Sequence, residues 1–442
     1  MPHRKRPVES LQGEEFPAQE YGKQLKPDVK NVIKLTLAFA KAVERNQEDK
    51  AENLVISPYN ALAALSMVSK GAEGNTREEM AQAFYGTNGK GLDAAAGAYS
   101  TLNEEILKAN KGQVELTTAN GVWTNQNLVE LKDAFAADLK KTFGAEISGE
   151  DFGNPATVDK INDWAAKNTN DLIAKVLEKL EPQDAAILAS ALYFKGQWTH
   201  KFDKDETEPK NFTSDGGAPL ETPTMHQDFW GGDNGHLSYQ SGKDYDAIAM
   251  TYGQEDSEAN KYPTMRIIFA RPRDEDTAAR DWLSGQAGQG VPAWLDANAF
   301  ETAIGSVELP RLDIKQRFDL IPALKDMGVR QAFEYAAPGK PGADFSGMVK
   351  EGGEALAISK VQHDIVFKTD EEGSEAAAVT TIGMSFATSI GPSYPHYDMK
   401  LDRSFVFALQ DVKSGAVLFL GAVNKPNDDM KPASKNKGPK LS

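Results

Sequence analysis

Cysteine is absent from the 442 residues. That excludes disulfide frameworks, thiolate metal centres and cysteine nucleophiles together. It leaves the compartment open, because a chain of this length needs no disulfide to hold a core. Positive charge is scarce: 49 Lys and Arg stand against 65 Asp and Glu, a net charge of −16. No overall cationic field exists to recruit nucleic acid or an anionic membrane. Long apolar runs are also missing. The longest nearly apolar stretch, Ala185 to Phe194, covers ten residues, well short of the ~18 that a bilayer helix requires. Met1 to Lys30 carries Arg4, Lys5 and Arg6 with no apolar region behind them, so no secretory signal is expected and the sequence reads as cytoplasmic.

Enzyme motifs are lacking as well. No GxSxG elbow, HExxH helix, Walker loop or GxGxxG turn occurs. The six histidines never pair at i, i+2 or i, i+4, so no metal site is expected; His226 and His236, able to approach across a hairpin, read as solvated surface residues. Asp203-Lys204-Asp205 lacks the glycine and closing glutamate of a calcium loop. Asn211-Phe212-Thr213 fits a glycosylation acceptor and reads as a polar strand edge. A triad assembled from distant residues stays open on motif grounds.

What is present is an ordinary globular composition, for which the usual ~150 residues per domain would give about three domains. Residues 1–28 are polar and proline-containing and read as a flexible extension; the Lys-rich residues 428–442 read as a disordered tail. Between them, Val29 to Arg45 has amphipathic helix spacing, Leu54 to Ile56 reads as a short strand, and Pro58 opens another helix. Thr76 with Glu79 reads as a capping box. Further helices are predicted at Leu131–Phe143, Val158–Leu177 and Leu320–Met327. Ala185 to Phe194 reads as a buried central strand; Met265–Ala270, Val307–Leu309, Ile365–Lys368, Phe405–Leu409 and Val417–Val423 are β-like. Helices and strands mix without strict alternation, which predicts an α+β fold.

The most unusual stretch runs from Thr369 to Thr381. It follows a predicted strand, yet no strong turn signal appears for about ten residues after Gly373. Small or uncharged residues stand at alternate positions: Ser374, Ala376, Ala378, Thr380, Ile382 and Met384. If the segment became a strand, all six would share one face, and Glu375 would point the other way. It reads as a strand in waiting.

At this point the chain resembles the serpin family, from about Val29 to Pro426. The similarity begins with Asn53-Leu54-Val55-Ile56-Ser57-Pro58 and Gly71-Ala72-x-Gly74-x-Thr76, then Asn120-Gly121-Val122-Trp123. It continues with Ile161-Asn162-x-Trp164, Thr169-Asn170 and Ala191-Leu192-Tyr193-Phe194-Lys195-Gly196-x-Trp198. Leu309-Pro310-Arg311, Asp344-Phe345-Ser346-Gly347, Ser359-Lys360-Val361-x-His363 and Leu418-Phe419-x-Gly421 complete the series in family order.

The resemblance implies a single domain over 29–427, with three β-sheets, about eight or nine helices and an exposed reactive loop. It implies a suicide-substrate inhibitor of serine proteases, acting as a monomer through a covalent 1:1 complex, in which the cleaved loop inserts into the large sheet. The hinge would be Glu371, Glu372, Gly373, Ser374, Glu375, Ala376, Ala377 and Ala378, read as clean of the charged, proline or bulky residues that non-inhibitory relatives usually carry. Ser57, Asn60, Ser190, His363, Trp198 and Arg311 fall in the sheet-opening region, Arg311 facing Glu371 as an exposed pair. Three positions depart from the family pattern: Asn60 and Ser190 look exchanged, with a network to His363 still open to them, and Ser404 stands where proline is common. Counting from Glu371 places the scissile bond at Ala387-Thr388, with Met384, Phe386 and Ile390 as other registers. Small or apolar residues there imply an elastase-like or chymotrypsin-like protease. No cofactor is expected, and no heparin-type activator, because the helix around Tyr99 to Lys111 holds Glu104 and Glu105 and no basic cluster. An extracellular setting is compatible with the resemblance. A non-inhibitory binding or folding-helper protein is the alternative.

Overall fold

The start of the helix at Pro58 follows residues that satisfy or dispense with a free amide. Pro58 has no N–H to lose at the first turn, and the Ser57 hydroxyl accepts from the Asn60 amide at 3.2 Å, so a helix begins there. The computed structural model describes residues 27–231, 235–253, 263–350, 356–374 and 394–428. Among these are eight α-helices: α1 (Pro27–Asn46), α2 (Pro58–Ser69), α3 (Gly74–Tyr85), α4 (Leu92–Asn110), α5 (Asp133–Phe143), α6 (Ala156–Asn168), α7 (Ala279–Gly285) and α8 (Ile321–Asp326).

The strands run β1 (Leu54–Ile56), β2 (Glu115–Asn125), β3 (Glu146–Glu150), β4 (Ala186–Gln197), β5 (Glu208–Thr213) and β6 (Pro219–Phe229). Then come β7 (Leu237–Ser241), β8 (Tyr245–Tyr252), β9 (Met265–Pro272), β10 (Glu301–Ala303), β11 (Gly305–Pro310) and β12 (Leu312–Asp319). The last are β13 (Ile358–Thr369), β14 (Gly373–Ser374), β15 (Met399–Lys400), β16 (Phe405–Asp411), β17 (Val417–Val423) and β18 (Asn427–Asp428).

They form three sheets, as expected for the α+β reading. One has the order β1-β17-β16-β9-β8-β7-β10 and another β15-β11-β6-β5. The large mixed sheet has the order β18-β12-β13-β4-β2-β3, with β14 also paired to β4. A continuous apolar cluster reaches from Ile33 on α1 to Val423 on β17 and joins all three. It packs the inner face of the large sheet, to which Leu188 and Leu192 of β4 and Val361, Ile365 and Phe367 of β13 contribute. A smaller cluster lies on the outer face: Trp123, Ile187 and Ala189 from the strands, Ile161 and Ala165 from α6, and Ile173, Val176 and Leu177 beyond it. The ten-residue run Ala185–Phe194 is apolar but for Ser190 because β4 is covered on both sides.

Two local expectations change. The helix expected to reach Leu177 ends at Asn168, because Asn170 and Asp171 take left-handed backbone at φ 47° and 63°. Apolar spacing continued past that point only because Ile173, Val176 and Leu177 bury their side chains against the sheet strands. Thr76 and Glu79 do not form a capping box: α3 starts at Gly74, the Thr76 hydroxyl accepts from the Asp344 amide, and the Glu79 carboxylate accepts from the Arg330 and Gln331 amides. Tertiary partners took both side chains.

Candidate functional site

The site grows from the one pairing in the large sheet that stops early. β13 and β4 run parallel, Ile358 registering with Ala186, and their ladder ends with His363 opposite Ser190. β13 continues to Thr369 and β4 to Gln197, and among the described residues no rung joins these upper halves. At the top the chain turns back. The Asp370 carboxylate accepts from the Glu372 and Gly373 amides, closing the turn, and β14 descends antiparallel to β4 with Gly373 opposite Gln197 and Ser374 opposite Gly196.

Each hinge residue at this turn is held. Gly373 has φ 148°, and a Cβ there would lie 2.0 Å from the Gly196 carbonyl oxygen, so only glycine fits. Ser374 is 2% exposed, its hydroxyl 2.9 Å from the Tyr252 hydroxyl. Tyr252 stacks on Trp198 at 4.5 Å between ring centroids. The Trp198 indole N–H donates to the Asp370 carbonyl and its amide to the Glu372 carbonyl, both at 2.8 Å. Trp198 is thus both a core residue and the post on which the turn hangs.

Arg311 reaches Glu371 as a fork, Nε and Nη2 at 2.8 and 2.6 Å from the same Oε1. The pair expected at the surface is only half so: Glu371 is 2% exposed, and the Thr207 hydroxyl donates to it too. Burial pulls the Glu371 carboxyl upward, but the bonds from Arg311 and Thr207 outweigh it and hold the group below the usual carboxylate range. Glu372 lies 2.8 Å from Lys201 and 2.9 Å from Lys204; the hydrogen bond from Lys201 lowers its pKa first, with Lys204 adding to it.

Lower down, where the β4–β13 ladder ends, sits a buried polar group. The Ser57 amide donates to His363 Nε2 at 3.0 Å, and the Ser57 hydroxyl to the Leu418 carbonyl at 2.6 Å. The Ser190 hydroxyl donates to the Asn60 backbone carbonyl at 2.8 Å. The exchanged pair therefore meets through the backbone of Asn60. His363 Nδ1 and Asn60 Oδ1 are both buried without a hydrogen-bond partner. Burial pushes the His363 pKa down to about 3, so the ring is neutral at physiological pH.

The structure brings Trp198, Arg311, Glu371, Glu372, Gly373 and Ser374 together at the upper end of the seam, and Ser57, Asn60, Ser190 and His363 at its middle. Glu375, Ala376, Ala377, Ala378, Ala387 and Thr388 lie outside the described residues. Sequence reading missed Tyr252, Lys201, Lys204 and Thr207. Tyr252 ends a strand that is buried almost throughout, and the two lysines stand in a polar loop, so nothing local marked them. Among the described residues no group of three or more His, Asp or Glu is placed to hold a metal. Chemically the arrangement is a docked turn beside an open seam, one edge of which is already paired to the returning chain.

Comparison with known proteins agrees with this architecture. The family model described as "Serpin (serine protease inhibitor)" matches residues 30–426. Iripin-2 of Ixodes ricinus is 29% identical over 420 residues, covering 92% of this chain and 95% of that protein. The crystal structure of a thermophilic serpin, tengpin, in the native state has a TM-score of 0.75 at 25% identity, covering 91% of this chain and 95% of that one. Human thyroxine-binding globulin, solved in complex with thyroxine, has the same fold at a TM-score of 0.74 and 23% identity, covering 91% and 100%. The chain belongs to the serpin family, the serine protease inhibitors.

Proposed function

We propose that this protein is a suicide-substrate inhibitor of serine-type endopeptidases, not an enzyme, built as a single domain over 29–427. The supporting observation is β14: the hinge already lies against β4 as the first two residues of a new strand, with Ser374 buried. Extending that register residue by residue puts position 380 opposite Ser190, where the β4–β13 ladder now ends, and position 384 opposite Ala186, the first residue of β4. Ala376, Ala378, Thr380, Ile382 and Met384 share the face of Ser374, and none would bury a charge. Ala387 then falls just past the end of the strand. That fits a scissile bond at Ala387-Thr388.

The protease serine attacks the Ala387 carbonyl, an ester to Ala387 forms, and Thr388 leaves with a free amino group. Freed at one end, the loop zips into the seam and carries the tethered enzyme with it. About 15 residues at ~3.3 Å each amount to a displacement of roughly 50 Å. Dragging the ester out of register with the oxyanion-hole donors stalls deacylation. The complex is 1:1, forms from a monomer, and needs no cofactor or heparin-type activator. The alanine at the bond fits an elastase-like pocket; the neighbouring Met384, Phe386 and Ile390 suit a chymotrypsin-like one.

Incubation with elastase, chymotrypsin and trypsin followed by denaturing gels tests this reading. A covalent band with elastase or chymotrypsin supports it, and the released C-terminal peptide should begin at Thr388. Loop cleavage without any covalent band would replace it with the non-inhibitory binding class, and turnover of added substrate with an enzyme.

A further inference from the structure

The family match ends at residue 426, and the large sheet gains a strand immediately after it. β18 runs parallel to β12 at the outer edge of that sheet, Asn427 registering with Asp313 and Asp428 with Ile314. The approach is firmly held. Asn53, fully buried, accepts from the Asn424 and Lys425 amides at 2.7 and 2.8 Å and donates to the Lys425 carbonyl at 2.7 Å. Lys425 meets Glu52 at 2.9 Å, and the Pro426 carbonyl accepts from the Asp313 amide at 3.0 Å. These contacts deliver the chain to the start of β12, heading along it.

β12 continues to Asp319, and among the described residues no strand pairs with its outer edge beyond Ile314. The Asp313 amide points outward to Pro426. Backbone groups alternate sides along a strand, so the amides and carbonyls of Lys315 and Arg317 point outward as well. A row of unpaired groups on a sheet edge is a template for another chain.

We propose that residues 427–431 form one edge strand, so that this chain's own segment after Pro426 closes the large sheet along β12 and denies the edge to a second copy. Continuing the register places Asp429 opposite Lys315, Met430 opposite Gln316 and Lys431 opposite Arg317. The residue types suit these places. Asp429 sets a carboxylate beside the Lys315 ammonium. Met430 shares the face of Ile314 and Gln316, 0% and 7% exposed, and its flexible side chain extends the cover over that corner of the core. Arg317 already gives its charge to Asp364 at 2.6 Å, so Lys431 stands beside a neutralised pair.

A proline sets the end of the strand. In a parallel ladder a residue donates to the partner one place before its opposite number and accepts from the partner one place after it. The Asp313 amide obeys this rule with the Pro426 carbonyl. By the same rule Met430 donates to the Lys315 carbonyl and accepts from the Arg317 amide. The Arg317 carbonyl needs a donor at position 432, and Pro432 has none. The pairing therefore stops at Lys431. The Asp429 amide points away from β12, and no bond of this ladder depends on it.

Hydrogen exchange in the full chain tests the strand and its register. The Arg317 amide should be protected. Met430→Pro, which removes the donor to Lys315 and loosens the carbonyl that accepts from Arg317, should speed its exchange about tenfold. Asp429→Pro should leave it within about twofold of wild type. If Met430→Pro does not fold, Asp429→Lys, which sets two cations side by side, replaces it with exchange several-fold faster. Size exclusion after mild warming reads the consequence: the folded Met430→Pro or Asp429→Lys variant should pass into dimers and larger species several-fold sooner than wild type. Equal Arg317 exchange in wild type and the folded variant overturns the edge strand, and equal effects of Met430→Pro and Asp429→Pro overturn its register. Protection of Arg317 that falls on dilution of wild type would show a second copy on the edge and overturn the choice of occupant. Equal oligomerisation of wild type and variant overturns the protective role.

Discussion

Ser374 is the residue on which the proposed function turns most sharply. Ser374→Arg would place a guanidinium where a 2% exposed hydroxyl now meets Tyr252. Burying that charge without a partner costs several kcal/mol, so the variant is expected to be cleaved in the loop without forming a covalent complex. An undiminished complex on a denaturing gel would contradict insertion. His363 makes a pH prediction. An unfolded histidine takes a proton near 6.5, whereas the buried ring resists until about 3, so its contribution to stability is lost as pH falls below about 6.5. The slope reaches ~1.4 kcal/mol per pH unit. Asp364 next door works in the opposite sense, favouring the native state as pH falls from about 6 toward the ordinary 3.8. Urea unfolding of wild type and His363→Gln between about pH 7 and pH 5 separates them: the stability difference should shrink with acid, and a constant difference would mean the ring is not held neutral. Trp198 and Arg311 were legible as residues because they stand in motifs that follow one another in family order. Tyr252 was not, because its partner Ser374 is 122 positions away.

At the scale of elements, the short pairing of β14 with β4 depends on one glycine. Gly373→Ala would press a methyl group against the Gly196 carbonyl in a backbone region that costs a non-glycine residue about 1–3 kcal/mol. The hinge should undock, and hydrogen exchange at the Trp198 and Phe202 amides, which donate to Glu372 and Glu371, should speed up. Unchanged exchange would show that the turn does not hold these carbonyls. Periodicity placed β1 and β17 without error, since their apolar residues are buried by neighbours along the whole strand. The end of α6 escaped it, because Ile173, Val176 and Leu177 are apolar for the sake of the sheet beneath them and not of a helix. β2 was not predicted as a strand, its first half being exposed and largely polar; only Asn120–Trp123 stood out, as a family motif.

For the whole molecule the decisive quantity is the difference between the open seam and a filled one. A ladder extended by about ten residues at ~1 kcal/mol per hydrogen bond should raise Tm on loop cleavage by of order 10–20 °C in this size of protein. Calorimetry of intact and elastase-cleaved protein reads it directly, and an unchanged Tm would mean no insertion. From Gly373 to Met399 there is no lysine or arginine, so trypsin should form no covalent complex through this loop. The sequence by itself determined the α+β class, the family, the small-residue alternation after Gly373 and the absence of basic residues there, because each is written in local order and side-chain type. Only the tertiary structure decided that the β4–β13 ladder stops at Ser190 and His363, that Glu371 is buried beneath its arginine, and that Arg317 reaches the Lys175 carbonyl. Those are pairings between residues up to 173 positions apart, as Ser190 is from His363, and a pairing at that distance is set by how sheets stack and which faces they cover, which no single stretch of chain encodes.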